Sequence, residues 1–170
     1  AFTKLSCESL GRMYSKINNI NFIALRFFTV YGPRQRPDLA IFKFFDNIVN
    51  EKKITVYGKG ETFRDYTYID DVVNGIINSI NLNSNYEIIN LGNNQPTKLL
   101  DLIGMIENIT NKKAKIEFKP LPKGDVPATY ADIDKASDLF NFSPKIKLEI
   151  GLQKFYDWYI SNRWDFWLEL

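Results

Sequence analysis

The chain has 170 residues, 45% of them hydrophobic, and its 22 Lys and Arg nearly balance 20 Asp and Glu. Such a composition supports a packed core and excludes a disordered segment, and a net charge of +2 falls short of the concentrated basic face that nucleic acid requires. With no histidine and a single cysteine, Cys7, these residues offer no serine–histidine triad, no zinc site and no internal disulfide, so no metal is expected and a reducing, cytoplasmic setting is.

In chain order, the apolar positions Leu5, Leu10, Met13 and Ile17 recur near helical spacing and predict a helix from Phe2 to Ile17, which Asn18, Asn19 and Asn21 break. Phe22 to Phe28, "FIALRFF", has the unbroken apolar character of a strand covered on both faces, as in parallel sheets. Leu39 to Asn50 reads as a helix. "ITVYGKGETFRDYTYI" holds two short β segments around Gly58 and Gly60. Asp70 to Leu82 is helical, with Asp70 and Asp71 at its positive end. Tyr86 to Gly92 is a second buried strand, and Thr97 is the expected N-cap of a helix reaching Asn111. "AKIEF" is a short strand, Asp134 to Asn141 a short helix, and Leu148 to Asn162 an aromatic-rich amphipathic helix. No apolar run approaches the length of a bilayer crossing, so no membrane partner is expected.

This alternation of helices and strands is α/β. Only two strands suit the middle of a parallel sheet, and two do not make a doubly wound one. The expectation is that an N-terminal half of the fold is missing.

Ligands of open α/β sheets sit outside the carboxyl ends of the strands. "RFFTVYGPRQRPD", Arg26 to Asp38, ends such a strand and offers a hydroxyl, Thr29, and two guanidinium groups, Arg34 and Arg36. Arginines there suit an anion, because their planar forks match phosphate or carboxylate oxygens in pairs. Isolated loop arginines are more often simply solvated. Arg64 in "GKGETFRDY" is a third candidate, with pairing to its neighbour Asp65 as the plainer role. Asp125 in "KGDVPATYAD" is a turn carboxylate able to accept from ribose hydroxyls, or an ordinary turn aspartate.

Together, "RFFTVYGPRQRPD", "VYGKGETFRDYTYIDDVV", "INLGNNQP" and "GDVPATYAD" stand in an order similar to that of nucleotide-sugar epimerases and dehydratases of the extended short-chain dehydrogenase/reductase superfamily. The chain most resembles UDP-glucuronate 4-epimerases, over nearly its whole length. The resemblance implies the C-terminal part of a Rossmann-like doubly wound sheet plus a small mixed α/β substrate-binding domain. Residues 1–38 would be the last part of the dinucleotide-binding domain and 39–170 the nucleotide-sugar region, with 86–111 returning to the Rossmann sheet. Such enzymes carry a catalytic Tyr-x-x-x-Lys. "AFTK" supplies its spacers and Lys4, so the tyrosine would lie just before Ala1.

The resemblance further implies NAD as cofactor, a UDP-sugar as substrate, and 4-epimerisation through transient oxidation at C4, in polysaccharide biosynthesis. Lys4 would hold the nicotinamide ribose and depress the tyrosine pKa, and Phe27 would lie against the nicotinamide. Thr29 would meet the sugar, Arg36 and Arg64 the diphosphate with Arg34 as helper, Thr55 and Tyr57 the uracil, and Asp125 the ribose. Some hexose epimerases place an arginine where this chain has Pro122. That departure leaves Lys123 as a substitute and suits a uronate better than a hexose. The intact enzyme would be a homodimer built partly on the lysine-bearing helix, and these residues alone would be inactive. A decarboxylase or 4,6-dehydratase on the same scaffold, and a non-catalytic nucleotide-sugar-binding fragment, are the alternatives.

Overall fold

The computed structural model describes residues 2–162, so residues 163–170 of the expected nucleotide-sugar region lie outside them. Helix α1 (Phe2–Asn18) leads into β1 (Phe22–Phe27), which pairs in parallel with β5 (Tyr86–Leu91), Phe22 opposite Tyr86 and Phe27 opposite Leu91. Side chains alternate across a strand, and the two faces of this pair take different covers. Ile23, Leu25, Ile89 and Leu91 pack against Ile76 of α3 (Ile69–Ser79) and against Ala136 and Phe140 of α5 (Asp134–Phe140). On the other face α1 lies close, and Gly11 permits it, since a Cβ there would collide with the Phe22 ring.

A second sheet runs β2 (Thr29–Tyr31), β4 (Phe63–Tyr68), β6 (Pro96–Lys98), with β8 (Ala128–Thr129) also on β4. Strand β2 is parallel to β4, with Thr29 opposite Tyr66, whereas β6 runs antiparallel to it. Strands β3 (Lys53–Tyr57) and β7 (Lys115–Lys119) form a separate parallel pair. The main core joins α2 (Ala40–Val49), α4 (Leu99–Thr110) and α6 (Leu148–Ser161) over these strands. Phe42, Phe45, Phe155 and Tyr159 interlock there edge to face and in tilted pairs, and the Tyr159 hydroxyl donates to Asp46 Oδ1 at 2.7 Å. Gly151 of α6 lets that helix settle on Tyr31, whose hydroxyl donates to the Leu148 carbonyl at 3.2 Å.

The expected helices form within one to three residues of their predicted bounds, α3 stopping at Ser79 rather than Leu82, and the two expected parallel strands pair with each other. The two β segments expected around Gly58 and Gly60 do form, as β3 and β4, and they take separate partners, β3 pairing with β7 and β4 with β2, β6 and β8. Two points differ. Thr97 is not an N-cap: it sits in β6 opposite Arg64, and α4 starts after Lys98 without a side-chain cap. In addition, β1 is only partly covered. Phe27 is 49% exposed, and among the described residues β1 has no neighbour but β5. On α1, Leu5, Leu10, Met13 and Ile17 all face outward, Ile17 at 71% exposure. No helix among the described residues is long and apolar enough to cross a membrane.

Candidate functional site

Lys4 stands exposed on α1, one turn before Glu8. The Glu8 carboxylate takes two hydrogen bonds from Arg26, Nε to Oε1 at 2.7 Å and Nη2 to Oε2 at 2.8 Å, and this bond holds it below the usual carboxylate range. Because Arg26 precedes the last residue of β1, the fork ties the lysine-bearing helix to the strand's carboxyl end. Lys4, Glu8, Arg26 and Phe27 line one cavity there. The two residues assigned to the cofactor are therefore brought together.

Thr29 opens β2 and is partly buried, and among the described residues its hydroxyl makes no hydrogen bond. Gly32 follows at φ +151, where a Cβ would run into Ile69. Arg34 takes the left-handed conformation at φ +64, unusual for a residue with a Cβ. Its side chain is exposed, as is that of Arg36, whose pairing with Asp38 at 3.1 Å is open to solvent on both sides and worth little. Val30 to Arg36 line a second cavity with Leu39 and Ile69.

Arg64 does not pair with Asp65. Successive strand residues face opposite ways, and Arg64 turns to the segment after β7. Its Nη2 donates to Asp125 Oδ1 at 2.7 Å, and its Nη1 to the carbonyls of Phe63 and Val126 at 2.8 and 3.0 Å. Two residues named for the diphosphate and the ribose are thus in direct contact. The turn that presents Asp125 closes with its amide on the Pro122 carbonyl at 3.2 Å and uses Gly124 at φ +87. Lys123 is exposed on this turn. Thr55 and Tyr57 share the outer face of β3, Ile54 and Val56 being buried on the other. Strand β3 pairs with β7, after which the chain continues into the turn that carries Asp125.

Asp65 was not singled out by sequence reasoning, and it organises this region. Fully buried, it accepts the backbone N–H groups of Asn93, Asn94 and Ala131 at 2.8, 2.9 and 2.9 Å. The one signal available was a carboxylate inside a strand otherwise rich in aromatics, "FRDYTY". The nearby strand tyrosines are unsuited to act as bases. Burial pushes Tyr66 up to about 12 and raises Tyr31 and Tyr68 as well. Among the described residues no cluster of His, Cys, Asp or Glu could hold a metal ion.

Known proteins resemble the chain throughout this framework. UDP-glucuronate 4-epimerase of Thermodesulfobacterium geofontis is 42% identical over 163 residues, 95% of this chain and 50% of that protein. UDP-glucuronate 4-epimerase 1 of Arabidopsis thaliana is 40% identical over 178 residues, 95% of this chain and 42% of that protein. Among solved structures, UDP-glucuronic acid 4-epimerase from Bacillus cereus, in complex with UDP-glucuronic acid and NAD, superposes with a TM-score of 0.88 at 40% identity, over 94% of this chain and 52% of that one. The chain spans about half the length of the curated relatives it matches. The family described as NAD dependent epimerase/dehydratase matches residues 1–92, which hold Lys4, the Phe27–Arg36 segment and Arg64 alike. The chain belongs to that family.

Proposed function

We propose that the intact protein is a cytoplasmic, dimeric 4-epimerase of a UDP-sugar, UDP-glucuronate above all, and that residues 39–85 and 112–162 form most of its sugar-nucleotide side. The observation that carries this is the 40% identity and 0.88 TM-score to a UDP-glucuronic acid 4-epimerase in complex with UDP-glucuronic acid and NAD. In this division residues 1–38 and 86–111 belong with the dinucleotide-binding sheet, the remainder with the substrate.

The residues present fit NAD. The cavity between α1 and the end of β1 pairs a free ammonium, Lys4, with an exposed apolar ring, Phe27, suited to ribose hydroxyls and to a flat aromatic base. When bound, NAD supplies a hydride acceptor and donor at the sugar C4. Lys4 holds the ribose hydroxyls and, by its charge, favours the ionised form of the tyrosine base. Thr29 donates to the sugar carboxylate. Arg36 and Arg64 neutralise the diphosphate, aided by Arg34, and Asp125 keeps Oδ2 for the ribose while Oδ1 holds Arg64. Thr55 and Tyr57 flank the uracil.

The test is product analysis. The intact protein, given UDP-glucuronate and NAD, is expected to yield UDP-galacturonate by NMR. Loss of C6 as carbon dioxide would make it a decarboxylase, and loss of water from a UDP-hexose a dehydratase.

Two substitutions follow from these roles. Arg64→Ala should raise the KM for the UDP-sugar more than it lowers kcat, because the diphosphate is remote from C4. The loss of a charge-assisted contact amounts to about 1.5–3 kcal/mol, and unaltered affinity for UDP would remove Arg64 from the site. Thr29→Val should move the preference about tenfold, close to 1.4 kcal/mol, from UDP-glucuronate toward UDP-glucose, since only the uronate loses a hydrogen bond. Steady-state kcat/KM for both sugars checks this, and equal losses would confine Thr29 to the scaffold.

A further inference from the structure

Gln35 lies between the two loop arginines, and its amide is oriented by one contact: Nε2 donates to the Val30 carbonyl at 3.3 Å. That contact turns Oε1 the other way. Oε1 is buried, and no described residue donates to it. A buried acceptor left without a donor costs free energy, and such groups are rare in folded proteins. The same turn carries a second local cost, the left-handed backbone of Arg34 at φ +64. Both fall in one short loop, on the wall of the cavity formed with Tyr31, Leu39 and Ile69. Departures from local preference that gather at one place mark a site shaped for something other than stability.

We propose that Gln35 Oε1 accepts a hydrogen bond from a ring hydroxyl of the substrate's hexose, so that Gln35 reads the sugar while its arginine neighbours read charge. This rests on the nucleotide-sugar reading above. The chemistry of the ligand narrows the choice. An amide oxygen needs a donor, and near neutral pH neither the diphosphate nor the uronate carboxylate carries one. The uracil N–H and the ribose hydroxyls do, but Thr55, Tyr57 and Asp125, assigned to them, stand on β3 and after β7. The hexose hydroxyls remain. They also lie where Thr29, adjacent to the Val30 carbonyl that holds the Gln35 amide, is expected to meet the same sugar.

The test uses the intact protein, its Gln35→Met variant, and calorimetric titration with UDP, UDP-glucose, and the 2-deoxy and 3-deoxy forms of UDP-glucose. Wild type is expected to bind one of the deoxy sugars about three- to tenfold more weakly than UDP-glucose. In Gln35→Met that difference should vanish, UDP-glucose itself binding three- to tenfold more weakly while UDP binds as before. If the variant penalises each deoxy sugar as wild type does, or loses UDP and UDP-glucose affinity equally, the proposal is overturned and the nucleotide-sugar reading stands. If wild type binds neither UDP nor UDP-glucose, that reading fails and this proposal with it. Should Gln35→Met not fold, Gln35→Asn draws the oxygen back by one methylene and is read by the same titrations.

Discussion

Replacing Asp65 with alanine is expected to cost about 2–4 kcal/mol of stability, because one buried backbone donor, that of Ala131, and two partly buried ones, of Asn93 and Asn94, lose this acceptor at once. An N–H left unpaired in the interior costs about 1–3 kcal/mol, and the partly buried amides of Asn93 and Asn94 cost less, because water can reach them. Asn93 and Asn94 follow β5 and Ala131 follows β8, so the one carboxylate fastens two chain crossings to β4. Asp65→Asn should fall between wild type and alanine, since its amide keeps one accepting oxygen but turns an NH2 group toward an N–H. Urea unfolding of the intact protein measures both. A loss under about 1 kcal/mol for the alanine variant would mean that other groups satisfy these amides.

If the intact protein is the proposed epimerase, Lys4→Met should reduce its kcat about 10²-fold or more at neutral pH, within the range general acid–base catalysis contributes. The sign of the pH effect distinguishes electrostatics from mere packing. A nearby ammonium favours tyrosinate and lowers the tyrosine pKa, so its removal raises that pKa. The variant's rate should therefore keep rising with pH after wild type has levelled off. Lys4 is exposed and its methionine replacement keeps the stem, so stability should barely change. A pH–rate profile of unaltered shape would limit Lys4 to holding ribose.

Much of this framework was legible before the fold was known. Helix periods and the two apolar strands are local signals, and each survives in the structure because its own residues dictate it. Thr97 misled for a physical reason: a threonine before an apolar run suits an N-cap, but β4 offered a partner edge and drew it into β6 opposite Arg64. Strands β2 and β8 are three and two residues long and leave no periodicity to read. Partner choice is similarly hidden. Nothing local says that Arg64 turns to Asp125, 61 residues away, or that Asp65 serves amides 28 to 66 residues away. Gln35 was invisible for a further reason: an orphaned oxygen is a property of surroundings, not of a motif.

Transient oxidation at C4 is tested most directly by isotope. UDP-glucuronate carrying deuterium at C4 is incubated with the intact protein and NAD in ordinary water, and the product is analysed by NMR and mass spectrometry. Deuterium removed as hydride and returned to the opposite face should remain at C4 of UDP-galacturonate in full. Deuterium lost to solvent, or a product whose C4 oxygen comes from water, would contradict epimerisation through a transient C4 ketone.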